Sequence, residues 1–120
     1  MREYEIEFEI FEGNPGVERS DGTYPDFARE GICAWMYGRL QVGQKFHYPD
    51  DLGQMCPWLL DSITGMVRAL ENGGELPWRY KGTQYEKVID PDGVTTEYVR
   101  CPDPTAAGIV LKITRTALLE

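Results

Sequence analysis

The sequence predicts a single α+β domain in which an antiparallel sheet of about five strands packs against one main helix. In residues 4–11, apolar side chains alternate with glutamates, which is typical of a strand with one buried face. In residues 57–72, apolar residues recur at helical spacing. Gly- and Pro-rich turns separate the remaining apolar runs. A chain of 120 residues has the usual size of one domain, which we assign to residues 1–120.

The first half of the chain is predicted to hold two strands and a short helix. The first strand covers 4–11 and ends at the Gly- and Pro-containing run that follows. After a polar loop, Pro25 suits the first turn of a short helix at 26–30, and Gly31 suits its end. Residues 32–40 are apolar and fit either a helix or an irregular core segment, and 42–48 fit a short strand.

The second half is predicted to hold the main helix, a hairpin and a final strand. Pro57 suits the first turn of the helix, and Gly73-Gly74 stop it. Strands at 85–89 and 94–101 flank a turn at 90–93, and the last strand covers 108–116. The predicted apolar stripe of the helix consists of Leu59, Ile63, Met66, Val67 and Leu70.

Charge and hydropathy restrict the class of partner. The chain has 12 basic and 20 acidic residues, a net charge of −8. Scattered Lys and Arg in an acidic chain argue against nucleic acid and against an anionic membrane surface. No run approaches the roughly 20 apolar residues that span a bilayer, and the charged start lacks the apolar core of a signal peptide. We therefore expect a cytoplasmic protein, whose odd number of cysteines cannot all pair internally.

The cysteines are the main candidates for chemistry. Cys56 precedes Pro57 at the predicted helix start, where the helix dipole and unpaired N–H groups favour a thiolate. Cys101 lies at a Pro-Asp-Pro corner, and Cys33 lies among apolar residues where a core role is the simpler interpretation. Cys56 is thus the candidate catalytic residue, although a buried, inert thiol beneath Trp58 is an equal alternative.

Three sulfurs and the chain's one histidine also suggest a metal site. Cys33, Cys56 and Cys101 could bind Zn or another thiophilic metal, with His47 or Asp103 as the fourth ligand. The usual close Cys pair is missing, so independent structural cysteines are the competing interpretation.

Aromatic residues suggest a pocket. Trp58 and Trp78 bracket the predicted helix and, with Asp103, could line a pocket beside Cys56. The alternative is that both tryptophans are large core residues.

The order of several short motifs resembles that of a family of small prokaryotic proteins without an assigned activity. The resemblance covers about residues 33–115. It departs from the family's pattern at Gln44, a position that is more often acidic in the family, and in the interval from Trp78 to Cys101, which is longer in this chain. It implies that the three cysteines occupy the family's cysteine positions. The motifs are Cys33, Val42-Gly43, Cys56-Pro57-Trp58, Gly73-Gly74, Pro77-Trp78, Cys101-Pro102-Asp103 and the strand at 109–115.

Three functions remain open from the sequence. The first is a small cytoplasmic accessory or binding domain with a cysteine-based metal or thiol site near the helix start. The second is a non-enzymatic, homo-oligomeric interaction module with structural cysteines. The third is a thiol enzyme with Cys56 as nucleophile and His47 or Asp103 as proton shuttle.

Overall fold

The structure, a computed structural model, describes residues 3–17, 19–102 and 109–118, and within them it has the predicted α+β architecture. The four strands form one antiparallel sheet in the order β2-β1-β4-β3, and the long helix α2 packs on one face of it. The elements are β1 (Tyr4–Glu12), α1 (Phe27–Glu30), β2 (Lys45–His47), a 3₁₀ turn (Leu52–Gln54), α2 (Pro57–Glu71), β3 (Val94–Arg100) and β4 (Val110–Ala117).

The alternation predicted for β1 determines which side chains face the helix. Ile6, Phe8 and Ile10 are buried beneath α2, and across the strand pair Phe8 lies opposite Ile113 and Ile10 opposite Leu111. We call this side of the sheet the core face and the opposite side the open face. The glutamates at 5, 7 and 9 lie on the open face, as the sequence predicts.

Helix α2 has the predicted apolar stripe. Leu59, Ile63, Val67 and Leu70 are buried against the sheet, each contributing about 1.5–3 kcal/mol by leaving water. Pro57 occupies the first turn as predicted.

A buried arginine fixes the other end of α2. Arg115 of β4 lies on the core face and donates to the carbonyl oxygens of Leu70 and Gly74 at 3.2 and 2.8 Å. Its guanidinium also stacks on the ring of Tyr4 at 4.4 Å, and a cation suits the negative end of the helix dipole.

From this end, the fifteen residues of α2 extend about 22 Å along the sheet. The helix therefore begins toward the end of the sheet where β1 and β3 end and β4 begins, which we call the distal end.

The predicted fifth strand at 85–89 is not a strand, so the sheet has four strands rather than five. The N–H of Thr96 donates to the Val88 carbonyl at 2.8 Å, as in a ladder. The N–H groups of Val88 and Asp90, however, donate to the hydroxyls of Thr96 and Thr95. Because side chains take the place of backbone carbonyls, the ladder does not continue.

The other predictions hold with small changes in bounds. Asp26 caps α1 by accepting from the N–H of Arg29, and Gly31 ends α1 with a φ of 68°. Residues 32–40 form the irregular core segment, with Met36 buried. The strand expected at 42–48 is confined to 45–47. The turn at 90–93 closes through the N–H of Gly93 and the carbonyl of Asp90.

None of the helices in the described ranges has the length and apolarity to cross a membrane.

An ion pair is buried beside β3. The Lys87 ammonium lies 3.0 Å from the Glu97 carboxylate, and their side chains are 0% and 2% exposed. The rings of Trp78 and Tyr80 lie over the ammonium at 5.2 and 5.6 Å. A charge is tolerated in the core here because its counterion and two aromatic faces surround it.

Candidate functional site

The three cysteines lie toward the distal end of the core. Cys101 is buried just after β3, and its N–H donates to the Ile109 carbonyl at 2.8 Å. The N–H of Cys33 donates to Asn14, two residues beyond β1. Cys56 is the N-cap of α2, without a side-chain capping hydrogen bond. All three contact the same apolar core, and none is in a disulfide.

His47 is not brought to the cysteines. It lies on the open face opposite Glu7, with Nε2 3.1 Å from Glu5 and Nδ1 3.3 Å from Asp50. Asp103 lies outside the described residues. In the ranges that the structure describes, no group of three or more His, Cys, Asp or Glu side chains is arranged to hold a metal ion. The cysteine metal set therefore remains a prediction.

The two predicted pocket tryptophans lie in separate surroundings. Trp58 is in the first turn of α2, and Trp78 follows its other end and covers Lys87. Both are 49% exposed, so neither is a core residue. The cavities described next are lined by other side chains.

A cavity of about 200 Å³ lies at the distal end. We call it the aromatic pocket. Tyr98 packs edge to face with both Phe11 and Tyr85, with ring centroids 4.9 and 5.7 Å apart. The pocket walls are mainly aromatic and apolar, as is typical of small-molecule sites. The lining residues are Tyr80, Tyr85, Tyr98, Arg100 and Val110.

A β-bulge turns a carboxylate toward this pocket. In β1, Ile10 pairs with Leu111 but Glu12 pairs with Val110, so Phe11 is the extra residue. Strict alternation would place Glu12 on the core face with Ile10. The bulge shifts the register by one, so Glu12 shares a side with Val110 of the pocket wall. Bulges commonly redirect a side chain in this way beside functional sites.

Three donors hold the Glu12 carboxylate. Its Oε1 accepts from the Tyr85 hydroxyl at 2.5 Å and from Gln84 Nε2 at 2.6 Å. Its Oε2 accepts from Arg100 at 3.4 Å, and the same guanidinium nitrogen lies 3.3 Å from the Tyr85 hydroxyl. The pocket therefore has a polar edge of fixed geometry.

The local electrostatics favour the protonated form of Tyr85 and Tyr98. The hydrogen bond to Glu12, with a contribution from burial, raises the pKa of Tyr85. Burial raises the pKa of Tyr98, and the charge of Glu9 adds to the effect. Tyr80 adopts a φ of +50°, a conformation that costs a bulky residue about 1–3 kcal/mol and is common at binding sites.

A second cavity of about 260 Å³ lies between α2 and the chain that follows β2. Its walls are mostly apolar, including Leu52, Leu60 and Val67. The hydroxyl of Tyr48 at this cavity bonds to Glu71, which raises the Tyr48 pKa. The aromatic pocket is the better candidate because several polar groups are fixed at its edge.

The sequence contained one signal for this site. Phe11 directly follows Ile10, so two apolar residues interrupt the alternation of β1 at the position of the bulge. No comparable signal connects Tyr80, Tyr85 and Tyr98, because the folding of the 79–90 segment along β3 brings them together.

Comparison with known proteins finds no family model that matches the chain, and no curated protein or solved structure that is detectably similar. The family resemblance described above therefore remains a prediction from its motifs.

Proposed function

We propose that this protein is a small binding domain that holds a low-molecular-weight organic ligand in the aromatic pocket. The observation that carries this proposal is the bulge at Phe11, which directs Glu12 to the pocket edge where three donors hold it. A bulge leaves one residue of the strand unpaired, and this is a cost that packing alone does not require. Its effect here is to turn the Glu12 carboxylate away from the core face. This agrees with the binding-domain class favoured by the sequence and moves the site from the cysteines to the tyrosines.

The size of the pocket limits the ligand. Pockets for drug-sized molecules usually have about 300–1,000 Å³. At about 200 Å³ this pocket suits a molecule built on a single ring. Stacking against two or three tyrosine faces supplies the apolar part of the binding.

The groups at the pocket edge suit binding better than catalysis. The Tyr85 hydroxyl donates to Glu12, and this hydrogen bond raises the pKa of Tyr85 further above its ordinary value. Glu12 accepts from three donors of the protein itself, so its oxygens are engaged in holding the pocket edge. We therefore place the protein among binding domains rather than enzymes.

The test is a titration with single-ring compounds of different charge, followed by two-dimensional NMR of the full chain. We expect shifts confined to the amides around Tyr98 and Val110. Tyr98→Ala should abolish them, whereas Trp58→Ala, at the exposed start of α2, should leave them unchanged. If no single-ring compound of any charge shifts the pocket amides, the proposal is wrong.

A cysteine-based thiol or metal site is the second candidate. It is supported by the position of Cys33, Cys56 and Cys101 toward one end of the core. Elemental analysis of protein purified without chelator tests the metal version, and absence of metal would contradict it. A Cys56 thiol titrating near the ordinary value of about 8.5 would contradict the nucleophile version.

Compartment and assembly belong to the same proposal. Three cysteines, none of them in a disulfide, suit the reducing cytoplasm. A homo-oligomer remains a proposal, which light scattering of the purified chain would test.

A further inference from the structure

We infer that the ligand of the aromatic pocket is a small planar organic anion, an aromatic carboxylate of about one ring, whose charge is bound by Arg100. This inference rests on the binding function proposed above and adds the chemical class of the ligand.

The state of Glu12 argues against a cationic ligand. Aromatic pockets often bind organic cations, since ring faces attract positive charge. A cation also needs a carboxylate with free capacity. The Glu12 carboxylate already accepts short bonds from Tyr85 and Gln84, and the Arg100 guanidinium at the wall would repel a cation.

The hydrogen-bond lengths identify Arg100 as the group that can change partner. Its two contacts, to Glu12 and to the Tyr85 hydroxyl, are 3.4 and 3.3 Å long, and its side chain is 53% exposed. The bonds of Glu12 to Tyr85 and Gln84 are much shorter, at 2.5 and 2.6 Å. A ligand carboxylate can therefore recruit the guanidinium in a bidentate pair while Glu12 keeps its two short bonds.

The charges around the pocket single out Arg100 as the cation for a ligand. Lys112 lies opposite Tyr98 across the β3–β4 pair, on the open face. The ammonium of Lys87 lies 5.6 Å from the Tyr80 ring. Lys87 is paired with Glu97, and Lys112 lies opposite Glu9 of β1. Arg100 at the pocket wall is therefore the cation that an anionic ligand would meet.

The shape of the pocket favours a planar molecule. The rings of Tyr85 and Tyr98 meet at 65°, and both line the cavity. The volume equals that of about seven water molecules at roughly 30 Å³ each, which accommodates one ring with a carboxylate. A ring stacked on tyrosine places its carboxylate at the edge, where Arg100 lies.

Three single-ring probes separate the ligand classes. Benzoate, benzamide and benzylamine share a ring but differ in charge, so NMR titration of the full chain compares an anion, a neutral molecule and a cation. We expect benzoate to bind with a dissociation constant lower than that of benzamide by roughly tenfold or more, since a charge-assisted pair replaces a neutral bond. Benzylamine should bind most weakly.

Two variants test the role of Arg100. Arg100→Gln should remove the preference for benzoate over benzamide. Arg79→Gln, which removes an exposed cation of the neighbouring segment outside the pocket lining, should keep it. Circular dichroism checks that both variants fold.

Each outcome has a separate meaning. Benzamide or benzylamine binding as well as benzoate, or a benzoate preference that survives Arg100→Gln, overturns the anion inference and leaves the pocket as a binding site. If none of the three probes shifts the pocket amides, the anion inference falls too, and the wider set of single-ring compounds described above decides the proposed function.

Discussion

Removing one partner of the buried Lys87–Glu97 pair should destabilise the fold strongly. Lys87→Met keeps the length of the side chain but leaves the Glu97 carboxylate in the core without its cation. Because both side chains are essentially inaccessible, we expect a loss of about 3–5 kcal/mol in the free energy of unfolding. A domain of 120 residues has roughly 6–18 kcal/mol in total, so the variant keeps only part of its stability.

The matched control removes both charges. In Lys87→Met/Glu97→Leu no ion remains to be desolvated, so we expect stability near that of the parent chain or above it. Urea denaturation followed by circular dichroism measures the parent, Lys87→Met, Glu97→Leu and the double variant, and a constant m-value confirms that the surface exposed on unfolding is unchanged. A double variant as unstable as the sum of the two single variants would refute the reasoning, because the charges would then act independently.

Three further predictions concern single positions. Arg115→Met should lower the free energy of unfolding by more than about 3 kcal/mol, because it leaves the carbonyl groups at the end of α2 without their donor. Arg68→Met, on the exposed side of α2, should change that free energy by less than about 0.5 kcal/mol. Chemical denaturation compares the two variants. The pKa of His47 is raised, chiefly by the hydrogen bond to Glu5, so its contribution to stability is complete below the unfolded value of about 6.5 and is lost as pH rises through the folded value. The stability difference between the parent and His47→Gln should therefore shrink toward alkaline pH, and growth of that difference would contradict the assignment. Ile63→Val should cost about 0.5–1.5 kcal/mol and Ile63→Ala about 2–5 kcal/mol, and thermal unfolding that shows equal costs would mean that the helix relaxes into the space.

Periodic patterns predicted the fold well because burial on one face of an element is a local property of sequence. The alternation from Tyr4 to Ile10 and the stripe from Leu59 to Leu70 each placed their element on the correct side of the core. The predicted strand at 85–89 was wrong because its hydrogen-bond partners are the hydroxyls of Thr95 and Thr96, and this choice depends on tertiary approach.

The candidate site could be predicted only in part. The sequence drew attention to Cys56 and Cys101, and the structure places them toward the distal end, where the aromatic pocket also lies. The adjacent apolar residues Ile10 and Phe11 were the one sign of the bulge that reverses the side on which Glu12 lies, and they did not by themselves identify its partners. The burial of Lys87 and Arg115 could not be predicted either, since their partners are distant in sequence.

The threonine hydroxyls along β3 have a consequence for how this protein behaves among its own copies. An outer strand with unpaired N–H and carbonyl groups is a template for strand addition and aggregation. Here the segment around Val88 and Asp90 lies along the first part of that edge and is tied to Thr95 and Thr96, so a foreign strand meets an occupied border there. At the opposite border β2 is only three residues long and carries Lys45 and His47, a short and charged template. Within the described residues, both borders of the sheet thus offer little regular backbone for strand addition.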